Sequence, residues 1–293
     1  MKKLAKTLSV ISAVLLLFAL LVGALLNIYV DQAWVPQEYR KLDIESQTDW
    51  DFTTTVTAFK GMLDYSIGRI DTLEDVKLND GSFFNESELS HMRDVQKLTV
   101  TVMCLGLAAL IIGAACFVFG FIVLRVDGLA VFSKALLITL CALLAVIAAL
   151  GIWMAVDFNS FWTAFHVVFL DLESSTFDPA VSNMICICPA ELFSDIIIRF
   201  ATISGLGLVF PVIACVLTLV HRKKHPENPR VLLYWLGSSA AILGFTALVA
   251  SSVSALGFMR WIAAGLLGFT LALMIIYVVM KRKSEKRPSV KAE

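Results

Sequence analysis

The run LTVTVMCLGLAALIIGAACFVFGFIVL, residues 98–124, contains no acidic, basic or proline residue. As a helix rising 1.5 Å per residue it is longer than the roughly 30 Å hydrocarbon core of a bilayer, and a helix satisfies its own backbone hydrogen bonds. The run therefore reads as a transmembrane span. Five others share its character, at about 8–30, 135–156, 200–220, 231–254 and 261–280. Of the 293 residues 58% are hydrophobic and only 16% charged, where a soluble domain holds roughly 45–50% apolar and about 25% charged residues. The fold class expected is an all-α membrane protein, a polytopic bundle of about six transmembrane helices capped by a small extracellular domain. A formal charge of zero and six cysteines in so apolar a chain exclude a disordered protein, a basic nucleic-acid binder and a disulfide-dense miniprotein.

Orientation follows from the basic residues, which concentrate in cytoplasmic loops. Lys2, Lys3 and Lys6, then Arg125 and Lys134, then Arg222, Lys223, Lys224 and Arg230, and finally the tail 281–291 fall on one side if the N-terminus is cytoplasmic. That topology puts 15 basic and 4 acidic residues inside and 9 basic and 20 acidic residues outside. Both termini are then cytoplasmic. The first run is longer than a signal-peptide core of 7 to 15 residues and reads as an uncleaved signal anchor. The chain divides into a signal-anchor span (1–30), an extracellular segment (31–97), spans two and three (98–156), a second extracellular segment (157–199), span four (200–222), and spans five and six with a basic tail (223–293).

The span centres hold no ionisable group, which argues against a pump or coupled transporter. Gly106, Gly113 and Gly120 recur every seven residues on one stripe of span two and predict close helix packing. Pro211 predicts a kink in span four. Chemistry is therefore expected in the outer segments.

In the first of these, Phe52, Val56, Phe59, Met62, Leu63 and Ile67 follow helical spacing, and Asn79-Asp80-Gly81 predicts a turn. Asn85 and Glu88 have capping-box spacing at the head of a helix that runs into span two. His91, seven residues before Leu98, then stands roughly 10 Å above the span, at headgroup depth. In the second segment Phe158, Phe161, Trp162, Phe165 and Phe169 form an aromatic stripe on a helix capped by Asn159 or Ser160, as an interfacial helix would. His166 lies beside that stripe at a depth close to that of His91. Asp178-Pro179 and Cys188-Pro189 read as two further helix starts. The other histidines, His221 and His225, belong to a basic cytoplasmic loop and read as solvated surface.

Two outer histidines at matching depth admit more than one reading. With Cys186 and Cys188 they have the ligand types of a zinc site, although Cys-x-Cys is tighter than usual zinc spacing. The two cysteines equally suit a strained disulfide or two apolar thiols. A non-enzymatic sensor or assembly module, docking a partner on its outer helices, is a further alternative. Asp94, at i+3 from His91, either orients the imidazole or pairs with Arg93.

The segment Asn85-Glu86-Ser87-Glu88-Leu89-Ser90-His91-Met92-Arg93-Asp94-Val95 resembles the motif before the second span of the bacterial lipoprotein intramolecular transacylases. Phe165-His166, with Phe169, Asp178-Pro179 and Pro189-Ala190-Glu191-Leu192-Phe193, resembles the family's second motif. The resemblance covers roughly residues 1–222 and a four-span core. It departs from the family in carrying Ser175 near a position commonly held by tryptophan, and in having spans five and six. It implies an acyltransferase of the bacterial cell membrane, acting on its outer face on lipoproteins whose N-terminal cysteine bears a thioether-linked diacylglyceryl. The sn-2 acyl chain moves to the α-amino group of the same cysteine, giving a lyso-form lipoprotein, which points to a Gram-positive source.

The two functional histidines of the family map onto His91 and His166. Phe161, Trp162, Phe165 and Phe169 are the expected interfacial substrate contacts, and Asp94 an orienting residue. An α-amine with a pKa near 8 is mostly protonated at neutral pH, and imidazole, near 6.5, is matched to removing that proton. One histidine would serve as base; the other would polarise the carbonyl or protonate the leaving alkoxide. Because nucleophile and ester share one molecule, holding them close lowers much of the barrier. No cofactor, metal or nucleic acid is expected, and the partners are the lipidated cysteine and membrane lipids.

Overall fold

Apolar runs become helices longer than the hydrocarbon they cross, because capping residues lie beyond it. In the computed structural model, which describes residues 1–74, 76–78, 81–170, 177–178, 180–224 and Trp235, four such helices are present: α1 (Lys2–Val30), α4 (Glu86–Leu124), α5 (Val126–Val156) and α8 (Ala190–Lys224). Between them lie α2 (Val35–Lys41), a 3-10 turn (Ile44–Gln47), α3 (Phe52–Ser66), the two-residue strands β1 (Lys77–Leu78) and β2 (Gly81–Ser82), α6 (Phe158–Phe169) and α7 (Asn183–Ile187). The strands pair antiparallel, Lys77 opposite Ser82. Gly81 thus opens β2, while Asn79 and Asp80 of the expected turn lie outside the described residues. So do 171–176 and the two spans expected at 231–254 and 261–280, Trp235 apart.

The described residues divide into two compact units. One comprises 18–109 and 142–204 and contains a small domain with its own core. Tyr39, Ile44, Leu73, Phe83, Ile187 and Leu192 are among its fully buried side chains. Asp51 caps α3 by accepting from the amides of Thr53 and Thr54, and Val56, Phe59, Met62 and Leu63 then point together into this core. Burying each such side chain contributes roughly 1.5–3 kcal/mol. The amphipathic stripe of α3 is therefore spent within the domain.

Hydrogen bonds stitch the two segments between spans into this one domain. The Tyr39 hydroxyl donates to the Ile187 carbonyl at 2.8 Å, and Asn183 Nδ2 donates to the Phe83 carbonyl at 2.6 Å. Burial holds the Tyr39 phenol above its usual titration range. Of the start expected at Asp178-Pro179, Pro179 lies outside the described residues, and the next described helix begins only at Asn183. The amides of Val181 and Ser182 turn back to the Asp178 carbonyl, and Ser182 caps α7 instead. The second proline start holds, with α8 beginning directly after Pro189.

In the same unit Gly106 lies against Val22, where a Cβ would collide with the valine side chain. The other unit comprises 1–17, 110–141 and the chain from Gly205. There Gly113 meets Leu15 and Leu16, and Gly120 meets Ser9. All three glycines of the stripe thus let α1 approach α4 closely. Arg125, in the left-handed region at φ 58°, is the single residue linking α4 to α5. Asp127 of α5 pairs with Arg222 of α8. Trp235 donates to the Thr218 hydroxyl at 3.0 Å and packs on Phe117 and Phe132. Pro211 lies inside α8 without ending it. Large aliphatic side chains such as Ile111, Ile122, Ile152 and Ile198 are exposed along the long helices, as lipid-facing surfaces require.

Candidate functional site

The first helix-capping signal is also the first part of the site. The Glu88 amide donates to Asn85 Oδ1 at 3.0 Å, and the Asn85 amide donates back to Glu88 Oε2 at 2.7 Å, a reciprocal box with Asn as the cap. Glu88 does more than cap. It is fully buried, and its Oε1 accepts from the Ser182 hydroxyl at 2.5 Å and the Met184 amide at 2.7 Å. Three donors converge on one acceptor-only carboxylate, so the start of α7 is tied to the first turn of α4.

One turn further along α4, His91 is 7% exposed. The polar residues Glu86, Glu88, Arg93, Asp94 and Lys97 mark this part of α4 as lying outside the apolar span. On the other side of the site Asp157, rather than Asn159 or Ser160, caps α6 by accepting from the Ser160 amide. His166 stands in the last turn of α6, also 7% exposed. Its Nδ1 lies 2.8 Å from the Trp162 carbonyl. A carbonyl only accepts, so this contact places the proton on Nδ1 and leaves the Nε2 lone pair available in the neutral ring.

The two imidazoles face one another with ring centroids 5.9 Å apart and planes inclined by 22°. Phe177 meets His91 edge to face at 5.3 Å. Burial, and to a smaller extent the neighbouring His166, push the His91 imidazole down to about 4, against a weaker upward pull from Asp94. His91 is thus neutral at physiological pH. Its Nδ1 is buried and has no hydrogen-bond partner among the described residues.

The remaining predicted residues separate into two groups. Trp162 packs on His166 at 4.6 Å and on Phe193 at 4.4 Å, and Phe165 touches both His166 and Phe169. Phe161 instead packs on Trp153, away from the histidines. Asp94 makes its ion pair with Lys97 at 2.9 Å, while Arg93 pairs with Glu86. Of the two readings of Asp94, the pair with Arg93 is replaced by the pair with Lys97, and Asp94 acts on His91 through charge and not through a hydrogen bond. Cys188 is a buried free thiol whose titration burial raises. Among the described residues no group of three or more His, Cys, Asp or Glu is arranged to hold a metal.

Phe177 and Ser182 have no distinguishing signal in the sequence, and Phe193 stands out only as part of the second motif, with no role attached to it. Each reaches the site by long-range packing. Glu88 was legible as a cap, but its bonds to Ser182 and Met184, more than ninety residues away, were not.

The family model described as lipoprotein intramolecular transacylase Lit matches residues 9–193. The solved in meso structure of the membrane-integral Lit from Bacillus cereus is similar at TM-score 0.63 and 16% identity, covering 76% of this chain and 99% of that one. Two variants of that protein are similar at TM-score 0.58 and 16% identity. One has a histidine replaced by arginine and covers 76% of this chain and 95% of its own. The other has it replaced by alanine and covers 75% and 95%. At this identity the likeness is one of fold. No curated protein matches the chain.

Proposed function

The chain belongs to the lipoprotein intramolecular transacylase family, and on that premise we propose that it moves the sn-2 acyl chain of a diacylglyceryl-modified lipoprotein cysteine onto that cysteine's own α-amino group. The observation that carries this reading is the pairing of His91 and His166, drawn from separate segments, both buried and facing each other at 5.9 Å.

The chemistry needs one proton moved and none consumed. The α-amine nitrogen attacks the ester carbonyl, a tetrahedral centre forms, the carbon–oxygen bond to the glyceryl breaks, and an amide remains. The proton leaving nitrogen is the one the departing glyceryl oxygen takes up. His166, with its proton held on Nδ1 by the Trp162 carbonyl, serves as the base through Nε2 and returns the proton from the same nitrogen. His91, kept neutral by burial, donates a hydrogen bond to the carbonyl oxygen as negative charge develops there. Trp162, itself packed on Phe193, and Phe165 hold the His166 ring, and Phe177 packs on His91. The small domain and the site face outward, both termini are cytoplasmic, and the substrate approaches within the outer leaflet. The charge asymmetry of the sequence supports this orientation.

The test is a reporter lipoprotein expressed with and without the full chain, its N-terminal lipopeptide read by mass spectrometry. The wild type is expected to convert a free α-amine with two glyceryl esters into an N-acyl, S-monoacylglyceryl form. His166→Ala and His91→Ala are expected to cut conversion by about 10²–10⁴ while accumulating in the membrane normally. An unchanged free amine with abundant wild-type protein would sink the proposal.

A further inference from the structure

Both histidine-bearing helices continue below the histidines as the walls of one cleft. A cavity of about 450 Å³ is lined by Asp94, Lys97, Leu98 and Thr101 of α4 and by Phe169 and Leu170 at the end of α6, a volume within the usual range of a small-ligand site. On α4 the positions 91, 94, 98 and 101 follow i, i+3, i+7 and i+10, so they form one stripe and the cleft continues the face that carries His91. On α6 Phe169 lies at i+3 from His166, and the Leu170 amide donates to the His166 carbonyl at 2.8 Å. The cleft is graded in polarity. The Asp94–Lys97 ion pair marks the end nearer the histidines, and Leu98, Thr101 and Phe169 mark the end where α4 turns apolar. Phe169 is 54% exposed and Thr101 is exposed as well, so the apolar end is open to the side.

A carbonyl within hydrogen-bond reach of an imidazole, at about 3 Å, commits the chain attached to it to leave the site through adjacent space. The space one turn along from these imidazoles is an open cleft with a polar end at Asp94 and Lys97 and an apolar end at Leu98 and Phe169. An extended hydrocarbon joined to an ester matches that gradient end to end, whereas a soluble metabolite or a peptide would leave Leu98 and Phe169 uncovered.

We propose that this α4–α6 cleft seats the migrating acyl chain, and that Leu98, Thr101 and Phe169 determine which chain lengths are transferred. The proposal rests on the transacylase reading. Methylenes beyond the carbonyl run along α4 past Leu98 to Thr101, and the tail leaves between the helices into lipid. Each methylene moved from water into such contacts is worth roughly fourfold in binding. The bilayer already offers part of that gain, so the cleft acts by shape: a chain that fits brings its carbonyl to the histidines, and one that does not holds it away.

The experiment uses the full-length protein and a reporter lipoprotein made in a host with mixed acyl chains, reading the rate of lyso-form production and the length distribution of the N-acyl group. Thr101→Trp, which fills the cleft, is expected to slow conversion at least tenfold and to enrich shorter N-acyl chains in the residual product. Phe169→Ala, which widens it, is expected to keep at least a third of the rate and shift the product toward longer or branched chains. Val100→Trp, on the opposite face of α4 and already exposed, should match the wild type in both. Thr101→Trp and Phe169→Ala both giving the wild-type length distribution would overturn the assignment of the cleft, even with His91 and His166 essential. A wild-type protein that forms no lyso-form at all would instead overturn the reading on which it rests, so the two failures are distinguishable.

Discussion

A histidine buried beside a second histidine pays for its position in charge. The His91 imidazole titrates near 4 in the fold, against about 6.5 in an unfolded chain. Between these values the unfolded chain holds a proton that the folded chain excludes, so stability falls as pH is lowered from about 6.5 toward 4 and changes no further below that on this account. The thermal midpoint of the detergent-solubilised protein should therefore drop over that interval, and His91→Gln, which has nothing to titrate there, should drop less. A wild-type and His91→Gln pair with parallel midpoint-versus-pH curves would contradict the desolvated neutral state of His91. Both histidines could be found as candidates from the sequence alone, because imidazole is scarce and both sit just beyond apolar runs. The hydrogen bond that selects the His166 tautomer could not, since it depends on the ring turning its Nδ1 back onto the Trp162 carbonyl one turn earlier in α6.

Among the elements, the N-terminus of α4 carries the most concentrated polar burial. Glu88 offers only acceptors, and all three of its partners outside its own backbone, Asn85, Ser182 and Met184, offer donors. Replacing it with Gln turns one oxygen into an NH₂ group and sets donor against donor at a site without water access. Glu88→Gln is expected to lose about 1–3 kcal/mol, and Ser182→Ala, which removes one donor and leaves the carboxylate two, about 1 kcal/mol. Thermal unfolding of both variants checks the order; a Glu88→Gln midpoint equal to wild type would show that the tie between α4 and α7 is not holding the domain together. The capping box was legible at i to i+3. The turn made by the Val181 and Ser182 amides on the Asp178 carbonyl was not legible, because an Asp-Pro pair suits the start of a helix and of a turn alike.

At the scale of the whole molecule, the polarity of charge predicts a single orientation. With the native cysteines replaced, Glu45→Cys in the exposed 3-10 turn should react with a membrane-impermeant maleimide in intact cells. Lys3→Cys at the head of α1 should react only after permeabilisation. The reverse pattern would invert the topology and remove the site from the outer leaflet. The small domain is a whole-molecule product as well: 31–97 and 177–192 lie far apart in the chain yet share one core, with Tyr39 bonded to Ile187 and Met184 to Glu88. The expected reading of α3 as a helix was sound, and its buried face meets α2 and the residues around Ile187, since an apolar stripe is satisfied by whichever apolar surface folding brings to it.

The sequence alone determined that this is a membrane protein, where four of its spans lie, which stripe of α4 packs closely and which two histidines stand at the span ends. These follow from local quantities, namely hydropathy over a window, helical period and residue type. Only the tertiary structure decided that the histidines face each other, that Asp94 pairs with Lys97 and not with Arg93, that Glu88 holds the second segment in place, and that a cleft descends from the site between α4 and α6. Those facts depend on side chains dozens of residues apart meeting in three dimensions, and no local pattern encodes a distance between two helices.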